Sequence, residues 1–474
     1  MNYALSLASV LLLAISSTVF LLQQVIYYLG IKRGKYVDNA PKENLGTPLI
    51  SVVVPVKNEP LELIEELIRN VNSLNYPKDR LELIIVSDDE PPYSDEVKSK
   101  VNELAKEVDF NIKVFIRDKP IGSKAGALAY GVLRARGDYV LIIDVDSKLS
   151  SNAINEGIKC MEQGYDACVY RWLPYLFFPT KIACAVCKSM YYVVDTLYSG
   201  RSRWGFFVFP LGSGTLFRKE ALKDVGLWDY DIIQDDMWIG VKFMNKGKRI
   251  KYLDNEGIRV SVPSTYTSIR TQQLRWAYGV AQVLRKGLRM IVKSKLGLLK
   301  KIEAIFFLSQ YVPTIFLSLG QGLLLLALFI DKIDPMYKFF YINIVPFIAA
   351  AAYVYQFMDS LRRRGYKFFN ALRSLGTNAS VVATMIPALA LNTLKGFLNV
   401  REVYKRTPKG VQELLHKNVS PYEVSYLAFA VFAFTFALTH NFIFTAMFYA
   451  LITAAILYTL IRSGMRIKEC KLLQ

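Results

Sequence analysis

Apolar residues along this chain fall into two kinds of run. From Tyr3 to Ile31 they form an uncharged stretch long enough to span a bilayer, followed at once by Lys32, Arg33 and Lys35. The stretch has no basic leader and no convincing cleavage site. It therefore predicts a retained anchor, N-terminus outside, with the following segment cytoplasmic. From Pro48 to about Thr267 the runs shorten, become β-rich and alternate with amphipathic segments. Residues 49–56, 81–86, 112–116 and 139–143 predict strands, and 61–73, 94–108 and 124–134 predict helices between them. That alternation implies an α/β domain with a mostly parallel sheet flanked by helices.

Beyond it the long runs return. Residues 270–301 are basic and amphipathic, suited to lying along a membrane surface. Residues 302–330 and 336–358 predict two spans joined by a short turn carrying Asp331 and Asp334, and Arg362, Arg363, Arg364 and Lys367 then mark a return inside. If 371–400 crossed, the basic stretch 401–417 would lie outside, so 371–400 predicts an interfacial or re-entrant helix. Residues 424–439 and 442–461 predict a hairpin of spans, with Arg462, Arg466 and Lys468 inside. The expected organisation is an anchor over 1–35, a cytoplasmic domain over 48–280, and a helical transmembrane domain with interfacial helices over 281–474.

Composition agrees with a soluble domain joined to spans: of 474 residues, 53% are hydrophobic and 21% charged. The net charge of +19, from 59 basic against 40 acidic residues, suits either nucleic acid or membrane lipids. Basic clusters sit mostly at the ends of apolar runs, which favours lipid headgroups and no nucleic acid. Five cysteines, an odd number, argue against a disulfide framework. Cys184 and Cys187 form a lone CxxC without a second pair or nearby histidines, so packing cysteines are the expectation. The only histidines, His416 and His440, lie far along the chain, so a general base in the soluble domain must be some other side chain.

Tyr139 to Ile143 reads as a strand buried on both faces, ending in Asp144 and Asp146. Residues two apart in a strand point the same way, and hard divalent cations take one or two carboxylates plus substrate phosphates. A solvated strand end would carry the same two acids, and only context separates the two. Glu59 follows the first strand, Asp88 and Asp89 the second, and Asp235 and Asp236 open a helix where the dipole favours carboxylates. Four acidic features at element ends of one α/β domain point to a common site.

An ordered series of motifs carries a resemblance. Val53-Val54-Pro55-Val56-Lys57-Asn58-Glu59, Ser73-Leu74-Asn75-Tyr76-Pro77, Val86-Ser87-Asp88-Asp89 and Lys124-Ala125-Gly126 come first. Asp144-Val145-Asp146, Gly212-Ser213-Gly214-Thr215, Gln234-Asp235-Asp236 and Gln272-Gln273-Leu274-Arg275-Trp276 follow. The series resembles inverting family-2 glycosyltransferases, in particular the membrane-embedded cellulose, mannan and hyaluronan synthases. Tyr404-Lys405-Arg406-Thr407-Pro408-Lys409-Gly410 resembles the gating loop of cellulose synthases, placing a gating-like loop at 404–411.

The resemblance implies a GT-A fold, a UDP- or GDP-linked nucleotide sugar, Mg2+ or Mn2+, and a glycan or lipid-linked acceptor. It implies an integral protein of the plasma membrane with its catalytic domain and C-terminus cytoplasmic. Asp88 or Asp89 would hold base and ribose, Lys124 the pyrophosphate, and Asp144 and Asp146 the metal and sugar. Glu59, Gln272, Arg275, Thr407 and Lys409 would complete the donor site. Gly212, Ser213, Gly214, Thr215 and Trp276 would meet the acceptor. Asp236 would be the general base, with Asp235 beside it. Gln234-Asp235 stands where the family has Thr-Glu, Lys57 where Tyr is common, and Arg406 where the gating loop has Val. The expected reaction is processive polysaccharide synthesis with translocation through the membrane. The alternative is a single transfer to a lipid acceptor.

Overall fold

The computed structural model describes residues 2–33, 46–402, 405–410, 412–415, 419–467 and 470. Lys35, Tyr404, Val411, His416, Lys417 and Lys468 of the expectations above lie outside the described residues.

One eight-stranded sheet organises the soluble domain. Its strands are β1 (Ile50–Val56), β2 (Leu81–Ser87), β3 (Asn111–Ile116), β4 (Tyr139–Ile142), β5 (Lys148–Leu149), β6 (Ala167–Leu176), β7 (Thr215–Arg218) and β8 (Ile250–Val262). They lie in the order β3-β2-β1-β4-β7-β6-β8-β5. The parallel half expected from the sequence is present, since β1 pairs with both β2 and β4, and β2 with β3. The other half makes the sheet mixed. Strand β7 runs antiparallel to β4 and β6, β6 is parallel to β8, and β5 is antiparallel to β8.

Alternate residues of β1 serve two cores. Val53 joins Ile84, Val132 and Ile142 on one face, while Val52 and Val54 join Leu63, Ile64, Leu67 and Val71 on the other. Each such aliphatic side chain contributes about 1.5–3 kcal/mol by leaving water. The Leu61–Asn72 helix follows from this arrangement, because its buried residues recur at helical spacing on the face turned to the sheet. Gly214 permits the turn into β7. Its φ of +85° lies in the left-handed region, and a Cβ there would stand 2.4 Å from the Ile258 side chain.

Among the described residues five helices are long and apolar enough to cross a membrane: Tyr3–Lys32, Phe340–Arg363, Phe368–Leu398, Pro421–Thr439 and Ile443–Arg462. The single span expected over 302–330 is instead a bent pair, Leu298–Leu308 and Val312–Leu328, meeting at 53°. Contacts between distant residues sort the helix ends. At one end of the bundle Ser6 meets Asp331, and Thr445 donates to Asp334 at 2.6 Å. At the opposite end Tyr28 donates to Asp359 at 3.0 Å, and Arg270, on the soluble domain's Tyr266–Lys293 helix, pairs with Glu423 at 2.8 Å. The Phe368–Leu398 helix begins at that second end, where Ala371 and Leu375 pack with Tyr28, Phe357 and Leu361. It finishes beside Tyr278 and Ala281 of the Tyr266–Lys293 helix, close enough that a Cβ on Gly396 would sit 2.3 Å from the Tyr278 carbonyl oxygen. Both ends therefore lie on the side of the soluble domain.

The cysteines depart from expectation. Cys160 is joined to Cys168 and Cys184 to Cys470, leaving Cys187 a buried free thiol. The pairing across 286 residues holds the C-terminal segment, which also bridges Thr180 through Arg466. Spacing alone carried no sign of it.

Candidate active site

The carboxyl ends of β1, β2 and β4, the turn before β7 and the start of the Asp235–Lys246 helix meet around one cavity of about 670 Å³. Asp144 extends past β4, its amide donating to Ser213 Oγ at 2.9 Å, and Ser213 meets Ser147 at 2.6 Å. Asp146 is placed by its carbonyl, which accepts from the Tyr175 hydroxyl at 2.7 Å. Glu59, Asp88, Lys124, Asp144, Asp146, Gly212, Ser213, Asp235, Asp236, Gln272, Arg275, Trp276, Thr407 and Lys409 all line the cavity.

Three expected site residues do not. Asp89 is turned into the loop, where it accepts from the Asn58 amide and from Ser87 Oγ at 2.6 Å. Thr215 uses its hydroxyl on Leu211, accepting from the amide at 3.0 Å and donating to the carbonyl at 2.9 Å. Gly214 serves the backbone turn. These residues shape the site and do not face it.

Two ammonium groups sit on the central acids. Lys124 Nζ lies 2.8 Å from Asp144 and 2.9 Å from the Gly212 carbonyl, and Lys409 Nζ lies 2.7 Å from Asp146 and 3.5 Å from Glu59. Burial alone would push the Asp144 carboxyl up, but Lys124 and Lys409 outweigh it and hold the group below the usual range. Burial likewise opposes the charge on Lys409, yet Asp146, Glu59 and Asp144 raise its pKa well above that of an ordinary lysine.

Asp235 and Asp236 differ sharply. Asp236 accepts from the Gly212 amide at 2.9 Å, Gln234 Nε2 at 2.8 Å and its neighbour Met237's amide at 2.7 Å. Burial raises its pKa despite Lys124 and those donors. Asp235 has no hydrogen-bond or ion-pair partner among the described residues. Burial, against the pull of Lys124 and helped by the charges of Asp236 and Asp144, pushes it up to about 6.

Several residues escaped the sequence reading. Arg117 grips Asp88 fork to fork, with Nε and Nη2 each 2.6 Å from a carboxylate oxygen, and also donates to the Ile121 carbonyl at 2.9 Å. Its position directly after β3, matching Asp88 after β2, was the available signal. Arg406, noted in the sequence only as replacing the gating loop's Val, pairs with Glu59 at 2.7 Å. Glu413 accepts from the Ser264 amide, and burial drives its pKa up to about 7.

Family comparison settles the class. A model described as glycosyl transferase family group 2 matches residues 139–462, and one described as glycosyl transferase family 2 matches 51–226. The chain is a family-2 glycosyltransferase. A probable glycosyltransferase of Sulfolobus acidocaldarius is 32% identical over 413 residues, covering 86% of this chain and 87% of that one. Glucomannan 4-beta-mannosyltransferase 9 of Arabidopsis thaliana is 27% identical over 301 residues, and this transferase spans 53% of its length. The fold matches that of a mannosyltransferase from Pyrobaculum calidifontis solved with GDP-Man and Mn2+, with a TM-score of 0.60 at 19% identity, covering 85% of this chain and all of that one. The family-2 transferase thus has a GT-A fold and carries candidate transmembrane helices.

Proposed function

We propose that the transferase moves a hexose, with inversion and with the help of Mg2+ or Mn2+, from a UDP- or GDP-linked donor onto a growing glycan, which it passes into the membrane domain. One observation carries this reading. The cavity that holds Asp144, Asp146 and Asp235 continues past Trp276 to Phe20, Gln24, Thr314 and Tyr353 of the membrane helices.

The residues present suit a divalent cation. Asp144 and Asp146 offer hard oxygen donors and already attract a positive charge each, as Lys124 and Lys409 show. When bound there, the cation neutralises charge on the departing diphosphate. Lys124 and Arg275 supply the same kind of stabilisation from the protein. Asp88, fixed by Arg117, keeps lone pairs for the nucleoside, and Glu59, paired with Arg406 and Lys409, lines the same cavity. Trp276 offers the acceptor sugar an apolar face. Asp236, aimed by three N–H donors, receives the proton of the attacking hydroxyl through its remaining lone pair. Asp235 keeps the pair electron-rich and is the rival for that role.

The two ends of the Phe368–Leu398 helix, both on the side of the soluble domain, support an interfacial helix. Ser6 and Tyr28, at opposite ends of the bundle, support an N-terminus across the membrane from the catalytic domain, which in this reading is cytoplasmic at the plasma membrane. A second reading rests on Val381, Met385 and Leu389, apolar residues lining the deeper cavity. They suit the chain of a lipid acceptor receiving one sugar.

The test is to incubate the purified protein with a panel of sugar nucleotides and both metals, measuring nucleotide release and product size. Polymer is expected with at least one donor. A product limited to monoglycosylated lipid selects the second reading, and no nucleotide release with any donor defeats both.

A further inference from the structure

Two basic side chains, Lys188 on the Lys181–Val194 helix and Arg373 near the start of the Phe368–Leu398 helix, interact outside the lining of the cavity. Lys188 is 8% exposed, yet no carboxylate pairs with it among the described residues. Its ammonium lies 5.2 Å from the centre of the Tyr366 ring, and the two groups that weigh on it electrostatically are the neighbouring Cys187 thiol, which favours its charge, and the like charge of Arg373, which opposes it. Burial holds it below the ordinary lysine range, and Arg373 adds to that. Nearby Arg364 is already committed to Asp195 at 2.7 Å. A buried cation beside a second cation, favoured only by an aromatic face and a thiol and paired with no carboxylate among the described residues, lacks a counter-charge.

The surroundings say what kind of anion would supply it. Phe368, Phe369 and Leu372, in the first turns of the helix that carries Arg373, are 62%, 77% and 43% exposed. Three large apolar side chains in the open beside basic residues are the pattern of a segment sunk at a bilayer interface. An anion at this level is attached to lipid chains.

We propose that Lys188, Arg373 and Tyr366 form a site for the phosphate headgroup of an anionic phospholipid, with its acyl chains against Phe368, Phe369 and Leu372. Lys188 donates to the phosphate from its buried position and Arg373 closes over it from the surface. This inference does not depend on the reaction proposed above.

The test uses the full chain in nanodiscs of phosphatidylcholine, with or without a minor share of phosphatidylglycerol, followed by detergent extraction and native mass spectrometry. Wild type should retain phosphatidylglycerol, and Lys188→Gln should lower retention by about tenfold or more, as for loss of a charge-assisted hydrogen bond. Lys188→Arg should keep it. Arg373→Gln changes an exposed side chain, so it should weaken retention without affecting folding and covers the case in which Lys188→Gln does not fold. Equal retention by wild type and Arg373→Gln would overturn the site. So would inorganic phosphate in detergent giving the same Lys188-dependent thermal stabilisation, since the occupant would then not be lipid.

Discussion

Replacing Asp235 by Asn separates what the site needs for chemistry from what the fold prefers. An ordinary aspartate titrates near 3.8, and burial among like charges pushes this one up to about 6. The difference is about two pH units, each about 1.4 kcal/mol, so keeping Asp235 ionised at neutral pH costs the folded state at most about 3 kcal/mol. The sign follows from linkage. Because the folded pKa is the higher one, the native protein binds the extra proton between 3.8 and about 6, and stability falls as pH rises through that window. Asparagine carries no such cost. Asp235→Asn should therefore melt higher than wild type near neutral pH, by about 1–2 °C per kcal/mol recovered for a chain of this size. The gain should vanish below about pH 4. Thermal melts of the detergent-solubilised protein across pH, without donor or metal, provide the assay, with transfer measured in parallel. Activity should drop while the melting temperature climbs. A variant no more stable than wild type at neutral pH, or an advantage that persists in acid, would show that Asp235 is not a buried charge held against its preference.

Other perturbations probe the rest of the site. Asp236→Asn should abolish transfer while leaving nucleotide binding intact by calorimetry, and turnover retained there but lost in Asp235→Asn would move the base to Asp235. Lys124→Met removes the ammonium shared by Asp144 and the Gly212 carbonyl, and should lower the rate by about 10²–10³. Asp144→Asn and Asp146→Asn should weaken Mn2+ binding, read by calorimetry as well as by activity, by at least the roughly 10–100-fold that losing an outer partner costs. At the junction of anchor and catalytic domain, a Cβ on Gly30 would stand 2.2 Å from the Gly200 carbonyl oxygen. Gly30→Ala should thus destabilise by about 1–3 kcal/mol, seen as a lower melting temperature.

The sequence by itself determined the parallel half of the sheet, the helices packed on it and the long apolar helices. Each depends on a local period of buried positions, which a stretch such as 50–56 or 61–72 displays without reference to the rest of the chain. The acids at strand ends were legible for the same reason: in a parallel sheet the carboxyl ends converge, so Asp88, Asp144 and Asp146 had to lie near one another. What remained hidden depends on partners far apart in sequence. The elements at 153–162, 167–176 and 181–194 are not among those the sequence pattern predicted, and the reversal of β7 hangs on the backbone freedom of Gly214. Only tertiary structure turned Asp89 away from the cavity, matched Arg117 to Asp88 and joined Cys184 to Cys470. It alone also left Lys188 without an acid. A periodic pattern says which face of an element is buried, whereas the charge or sulfur it meets there is fixed by how the elements pack.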